Sequence, residues 1–158
     1  MCDGYLQTLY MSLALFFDES VIGPWVCERT GASWTSGRGT AIGKLRDGKL
    51  VAGALYEDWN GSNITCHIAG DAGWADATFL SVIFDYPFNA IGAKMITAPV
   101  CSSNEKSIAL VTKFGFNLEA KLHGATSKGD LLLFTMHKNE CKYLRGKYGK
   151  KLQSTTTT

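Results

Sequence analysis

The chain reads as one α/β domain of the α+β kind: a mixed, mostly antiparallel twisted sheet with a central parallel strand pair and helices on both faces. Three observations lead there. Strand-like runs meet at Asp47-Gly48 and Asn60-Gly61, a helix-period segment lies between two such runs, and a second helix at 103–114 carries its own start and stop signals. With 158 residues and 46% hydrophobic content, the chain fits a single domain with a real core.

In chain order, residues 19–30 suggest a helix that Gly23 and Pro24 weaken. Residues 31–39 read as loop. Residues 40–46, 49–58 and 63–69 have strand character. Asn or Asp followed by Gly tolerates the positive φ of tight hairpin turns, so these three form an antiparallel meander. Residues 74–91 then place Phe79, Leu80, Ile83, Phe84, Phe88 and Ile91 at helical spacing. Pro87 has no amide to donate, so a kink or a stop is expected near Tyr86. Residues 94–101 form the next strand. In the helix at 103–114, Ser102 and Glu105 have capping-box spacing, and Ile108, Val111 and Phe114 recur at threes. Gly115 supplies its left-handed close. Two last strands span 117–124 and 130–138.

The strand, helix, strand connection from 63–69 to 94–101 makes those two strands parallel neighbours. A parallel pair inside an antiparallel sheet is where strands can splay. The start of the intervening helix offers free amides and a positive dipole end, so a pyrophosphate would sit at Gly70 to Ala75.

The net charge of +2 is unevenly spread: residues 1–137 hold 10 Lys and Arg against 13 Asp and Glu, whereas 138–158 hold 6 against 1. The chain thus divides into a domain at 1–138 and a basic, threonine-ending tail at 139–158. A solvated tail outweighs a nucleic-acid contact, since Tyr143 and Tyr148 are too few for a stacking platform. Five scattered cysteines without a Cys-x-x-Cys pair argue against a disulfide framework and a zinc site. No run of about 18 uncharged apolar residues exists. The expectation is a reducing cytoplasm, no membrane contact and no metal. Two other patterns fall away: Gly37 to Leu45 lacks the spacing of a phosphate loop, and Cys66 and His67 point to opposite faces of one strand.

The run Cys101 to Phe116 (CSSNEKSIALVTKFGF), together with HIAG at His67 to Gly70, FDYPFNAIG at Phe84 to Gly92 and GDLLLFTMHKNEC at Gly129 to Cys141, resembles the GNAT superfamily of N-acetyltransferases. The resemblance covers residues 40–138. It looks closest to the ribosomal-protein alanine acetyltransferases and to small phage-encoded acetyltransferase-like proteins. What it implies is acetyl-CoA as co-substrate and direct attack of an amine on the acetyl group, without a metal. Main-chain atoms of Ile68 and Ala69 would meet the acyl carbonyl and pantetheine. Gly70, Asp71, Ala72, Gly73, Trp74 and Ala75 would hold the pyrophosphate, and Asn104 and Ser107 would lie along the pantetheine arm. His67, at the end of the central strand, has the chemistry of a base, with a histidine satisfied inside the sheet as the alternative. Glu57, Trp59 and Asn63 flank the neighbouring hairpin as candidate acceptor contacts, and the loops at 32–39 and 125–128 would border the cleft.

Two departures keep a second class open. Many family members carry Arg/Gln-x-x-Gly-x-Gly/Ala before the long helix, where this chain has Gly70-Asp71-Ala72-Gly73-Trp74-Ala75, acidic and shorter. The tyrosine that many place in the signature helix is Val111. A catalytically inactive GNAT-fold protein, docking on a host protein or a nucleic acid, would need neither. No motif specifies the acceptor amine, and strand edges near the C-terminus suggest a homodimer.

Overall fold

The computed structural model describes residues 14–145 and Tyr148. Its strands are β1 (Leu15–Phe16), β2 (Gly39–Arg46), β3 (Lys49–Glu57), β4 (Asn63–Gly70), β5 (Met95–Cys101), β6 (Asn117–Thr126) and β7 (Gly129–His137); its α-helices are α1 (Glu19–Thr30), α2 (Ala77–Asp85) and α3 (Glu105–Phe114). The strands form one sheet in the order β1-β2-β3-β4-β5-β7-β6. Among the described residues only β4 and β5 pair in parallel. Period-two alternation divides the side chains between two cores. Ile42, Ala54, Ile68, Ile96 and Phe134 join the core that also takes in Phe84 of α2 and Phe114 of α3, whereas Ala41, Leu55 and Ala69 meet Ile22 and Val26 of α1. The mixed α/β architecture expected from sequence is therefore the observed one, with β1 as an added edge strand.

Asp47 and Gly48 take φ of 52° and 74°, as a tight hairpin demands. Asn60-Gly61 corrects the expectation of a second such turn. There the loop spans 58–62, and Asn60 Oδ1 accepts from the amides of Ser62 and Asn63 at 3.0 and 2.8 Å, so a side chain shapes the bend.

Helix α2 starts at Ala77 rather than 74 because Asp76 caps it, Oδ1 accepting from the Phe79 amide at 2.8 Å. Its α-helical pattern ends at Asp85, yet Pro87 does not end the helical path. The chain runs on as a π-helical turn, Tyr86–Ala90, in which the Ile91 amide donates to the Tyr86 carbonyl at 3.0 Å. Pro87 cannot serve the Ile83 carbonyl, and the Tyr56 hydroxyl of β3 donates to it instead.

The start of α3 also shifts. Asn104 is its cap, accepting from the Ser107 amide at 3.1 Å, while Ser102 Oγ accepts from the Asp130 amide at 3.0 Å and ties this approach to β7. The core continues beyond Lys138: Cys141 and Tyr143 are buried, and Tyr143 stacks on Phe84 with centroids 4.6 Å apart. Of the tail placed at 139–158, residues 139–145 and Tyr148 fall within the described residues, and the rest lies outside them.

Candidate functional site

The β4–β5 ladder joins Asn63 to Met95, Ile64 to Ile96 and Thr65 to Thr97, and stops there, although both strands continue. Beyond Thr65 the groups of β4 that face β5 have no strand to pair with. Pro99 lies in the diverging stretch of β5, which has become a local edge that tolerates a residue without an N–H. Two adjoining clefts open at the divergence. One, of about 760 Å³, is lined by His67, Pro99, Cys101 and Leu131 of the sheet, residues 28–33 at the end of α1, Asn104 and Lys106 of α3, and residues 126–128 of the β6–β7 turn. The other, of about 420 Å³, follows Ile68 to Asp71 past Trp74, with Lys106, Ser107 and Leu110 opposite. Arg29, Thr30 and Lys106 border both.

His67 reaches the larger cleft while only 9% exposed. Burial lowers its pKa to about 4, against an opposing push from the negative charge of Asp58, so the imidazole is neutral at pH 7. Its Nε2 stands 3.6 Å from Glu57 Oε2, beyond hydrogen-bond reach, and with the ring neutral the two are not an ion pair. Burial first, and Asp58 second, raise the Glu57 carboxyl.

Other predicted residues divide in two. Ile68, Ala69, Gly70, Asp71, Trp74, Asn104 and Ser107 line the clefts; Ala72, Gly73 and Ala75 line neither. Trp59 and Asn63 lie toward the opposite end of β4. Asn63 Oδ1 accepts from Thr97 Oγ1 at 2.8 Å, and Trp59 borders a separate recess of about 260 Å³ with Glu57, Asp58 and Tyr86. Asn104 has local work: besides capping α3, its Nδ2 donates to the Thr30 carbonyl at 3.2 Å and so fastens the end of α1 across the cleft.

The loop after β4 is braced by cations that sequence proximity does not reveal. Arg29 Nε meets Asp71 Oδ1 at 3.4 Å, Arg46 Nη2 donates to the Gly73 carbonyl at 2.9 Å, and Lys44 Nζ donates to the Trp74 carbonyl at 3.0 Å and pairs with Asp76. Sequence reading also missed Cys101, whose thiol lies 3.1 Å from the hydroxyls of both Ser103 and Thr126. Hydrogen bonding to Ser103, then to Thr126, lowers its pKa. Pro99 was the available signal, since proline in a supposedly central strand marks lost pairing. Arg29 had none; only the packing of α1 brings it to the site.

Among the described residues no group of three or more His, Cys, Asp or Glu could hold a metal ion, and no helix is long and apolar enough to cross a membrane. No family model matches the chain. No curated protein matches it in sequence. Solved structures do match in shape. The dodecameric spermidine N-acetyltransferase of Vibrio cholerae aligns with a TM-score of 0.62 and 13% identity over 84% of this chain and 97% of that one. A probable acetyltransferase aligns with 0.56 and 20% over 77% and 71%. The Campylobacter jejuni N-acetyltransferase PseH, in complex with acetyl coenzyme A, aligns with 0.50 and 11% over 65% and 70%. At such identities the likeness is one of fold. This chain has the GNAT acetyltransferase fold, and none of the likenesses singles out the ribosomal or the phage branch.

Proposed function

We propose that the protein transfers an acyl group, acetyl in the simplest case, from a coenzyme A thioester to an amine. One observation carries the reading: β4 parts from β5 after Thr65 and Thr97, leaving an unpaired strand edge at the meeting of two clefts. A pantetheine arm is a chain of amides, and an open edge offers the N–H and C=O groups that bind such a chain as an added strand. Ile68 and Ala69 are the edge residues in position to do so. The thioester supplies the activated acyl group; the protein supplies alignment with the amine, and alignment provides much of the rate for a bimolecular transfer.

In the transfer, the new C–N bond replaces the C–S bond, and the amine gives up a proton. His67 can accept it because its ring is neutral, and Glu57, 3.6 Å away, can stabilise the imidazolium that results when it is ionised. The larger cleft sets the acceptor. Its charged residues are Arg29, Lys106 and Lys128 against Glu28 and Glu105, a balance of +1. Such a cleft disfavours a polycation of the spermidine type and suits an amine carrying few other positive charges.

Thiol release from acetyl-CoA, followed across a panel of protein N-termini, lysine peptides and small monoamines, tests the reading. Amine-dependent release is expected, with His67→Gln slowing it about 100-fold or more. Absence of both thiol release and calorimetric binding at millimolar acetyl-CoA would leave the non-catalytic binding protein as the better account.

A further inference from the structure

We propose that the acceptor amine carries a carboxylate about 7 Å or more from its nitrogen, and that Lys128 of the β6–β7 turn binds that carboxylate while the amine meets His67. The inference rests on the acyltransferase reading and narrows its acceptor class.

Two ends of the larger cleft differ in kind. At one stands His67, nine-tenths buried, its side chain without a hydrogen-bond partner among the described residues and 3.6 Å from Glu57. Counting two residues on from the last paired rung, Thr65 and Thr97, sets Pro99 across from His67, and Cys101 follows on the same face of β5. The Cys101 thiol lies 3.1 Å from the Thr126 hydroxyl, which opens the turn at the cleft's other end. There Thr126 Oγ1 donates to the Gly129 carbonyl at 2.8 Å and accepts from the Lys128 amide at 3.3 Å. Two strand residues span about 7 Å, so Lys128 and His67 address groups at least that far apart on one ligand.

Charge points the same way. Glu28, one of the cleft's two acids, lies 3.7 Å from Arg29, which also meets Asp71. Lys106 and Lys128 form no ion pair among the described residues. Lys106 borders the smaller cleft as well, whereas Lys128 lines only the larger. The Lys128 charge is felt inside: after the hydrogen bonds of Ser103 and Thr126, it adds to the lowering of the Cys101 pKa. The start of α3 favours an anion too. Asn104 takes the amides of Ser107 and Ile108 through its side chain and carbonyl, and those of Glu105 and Lys106 have no partner among the described residues. One end of the cleft thus holds an unclaimed cation and the other an uncharged imidazole. An amine with a single carboxylate fits both and cancels the cleft's balance of +1.

Thiol release from acetyl-CoA by the full chain, read as kcat/KM over matched pairs, tests this. The pairs are ε-aminocaproate against the amino alcohol of the same length, a peptide with Asp as its second residue against the same peptide with Asn, and glycine against ethanolamine. In the first or second pair the carboxylate is expected to be favoured about tenfold or more, and which of the two shows it tells a free amino acid from a peptide. Glycine is too short to span the cleft, and as large a preference for it overturns the spacing. Lys128→Gln is expected to cut the preference about fivefold through KM, and Lys128→Arg to restore it. An unchanged ratio in the folded Gln variant overturns the assignment to Lys128. Neutral members turned over as well as the acids overturn the proposal and leave the acyltransferase reading standing. Turnover of no amine, with acetyl-CoA still bound in calorimetry, overturns the proposal as well; absence of acetyl-CoA binding overturns that reading and the proposal with it.

Discussion

His67 is kept uncharged by burial, and stability therefore depends on pH in a definite direction. The unfolded chain takes up the proton near 6.5 and the folded one only near 4. Stability present above pH 6.5 is accordingly lost as pH falls through that window, by up to about 3 kcal/mol. Glu57 acts with the opposite sign, because its raised pKa lets the folded state bind a proton first as pH falls. His67→Gln should flatten the fall in Tm between pH 6.5 and 4; a profile as steep as wild type would remove His67 as its cause. Gly23 gives a second residue-scale expectation. Glycine-to-alanine in a helix normally stabilises by about 1 kcal/mol, but a Cβ on Gly23 would overlap the Trp34 indole, which Glu19 Oε1 holds at 3.1 Å. Gly23→Ala is expected to destabilise instead, by about 1–3 kcal/mol in chemical denaturation.

Elements here are repaired by their neighbours. Tyr56 on β3 supplies Ile83 with the hydrogen bond that Pro87 cannot, so Tyr56→Phe should cost about 1–3 kcal/mol by leaving a buried carbonyl bare. In a Pro87→Ala background the new amide can take over, and a double-mutant cycle by urea unfolding should show a smaller loss. Equal losses in both backgrounds would refute the link. Asn104 permits a finer dissection. Asn104→Ala removes both the cap and the tie to Thr30 and should cost about 1–2 kcal/mol, whereas Asn104→Asp keeps an acceptor for the Ser107 amide and loses only the donor to the Thr30 carbonyl. Thermal melts should therefore place the Asp variant between wild type and Ala. The shift of the cap from Ser102 to Asn104 has a tertiary cause, because Ser102 is drawn away to the Asp130 amide of β7.

Across the described residues, two cores lie on opposite faces of one sheet in which β4 and β5 diverge after Thr65 and Thr97. Tyr143, stacked on Phe84, shows how much the segment after β7 contributes: Tyr143→Ala should cost about 3–5 kcal/mol by calorimetry, far more than a tail residue would. Sequence by itself determined the meander of β2, β3 and β4, the Asp47-Gly48 turn, the parallel pair and the alternation that places His67 and Cys66 on opposite faces, but not the insertion of β7 between β5 and β6. Each is local, resting on side-chain period, on turn residues that accept positive φ, or on the handedness of a crossover. Tertiary structure alone decided that Arg29 would meet Asp71 across 42 residues, that Lys44 would join Asp76 at the start of α2, and that Trp59 would stand away from the cleft. Those pairings follow from how helices seat on a sheet, where one residue's partner is fixed by the packing of the rest and leaves no periodic trace in the chain.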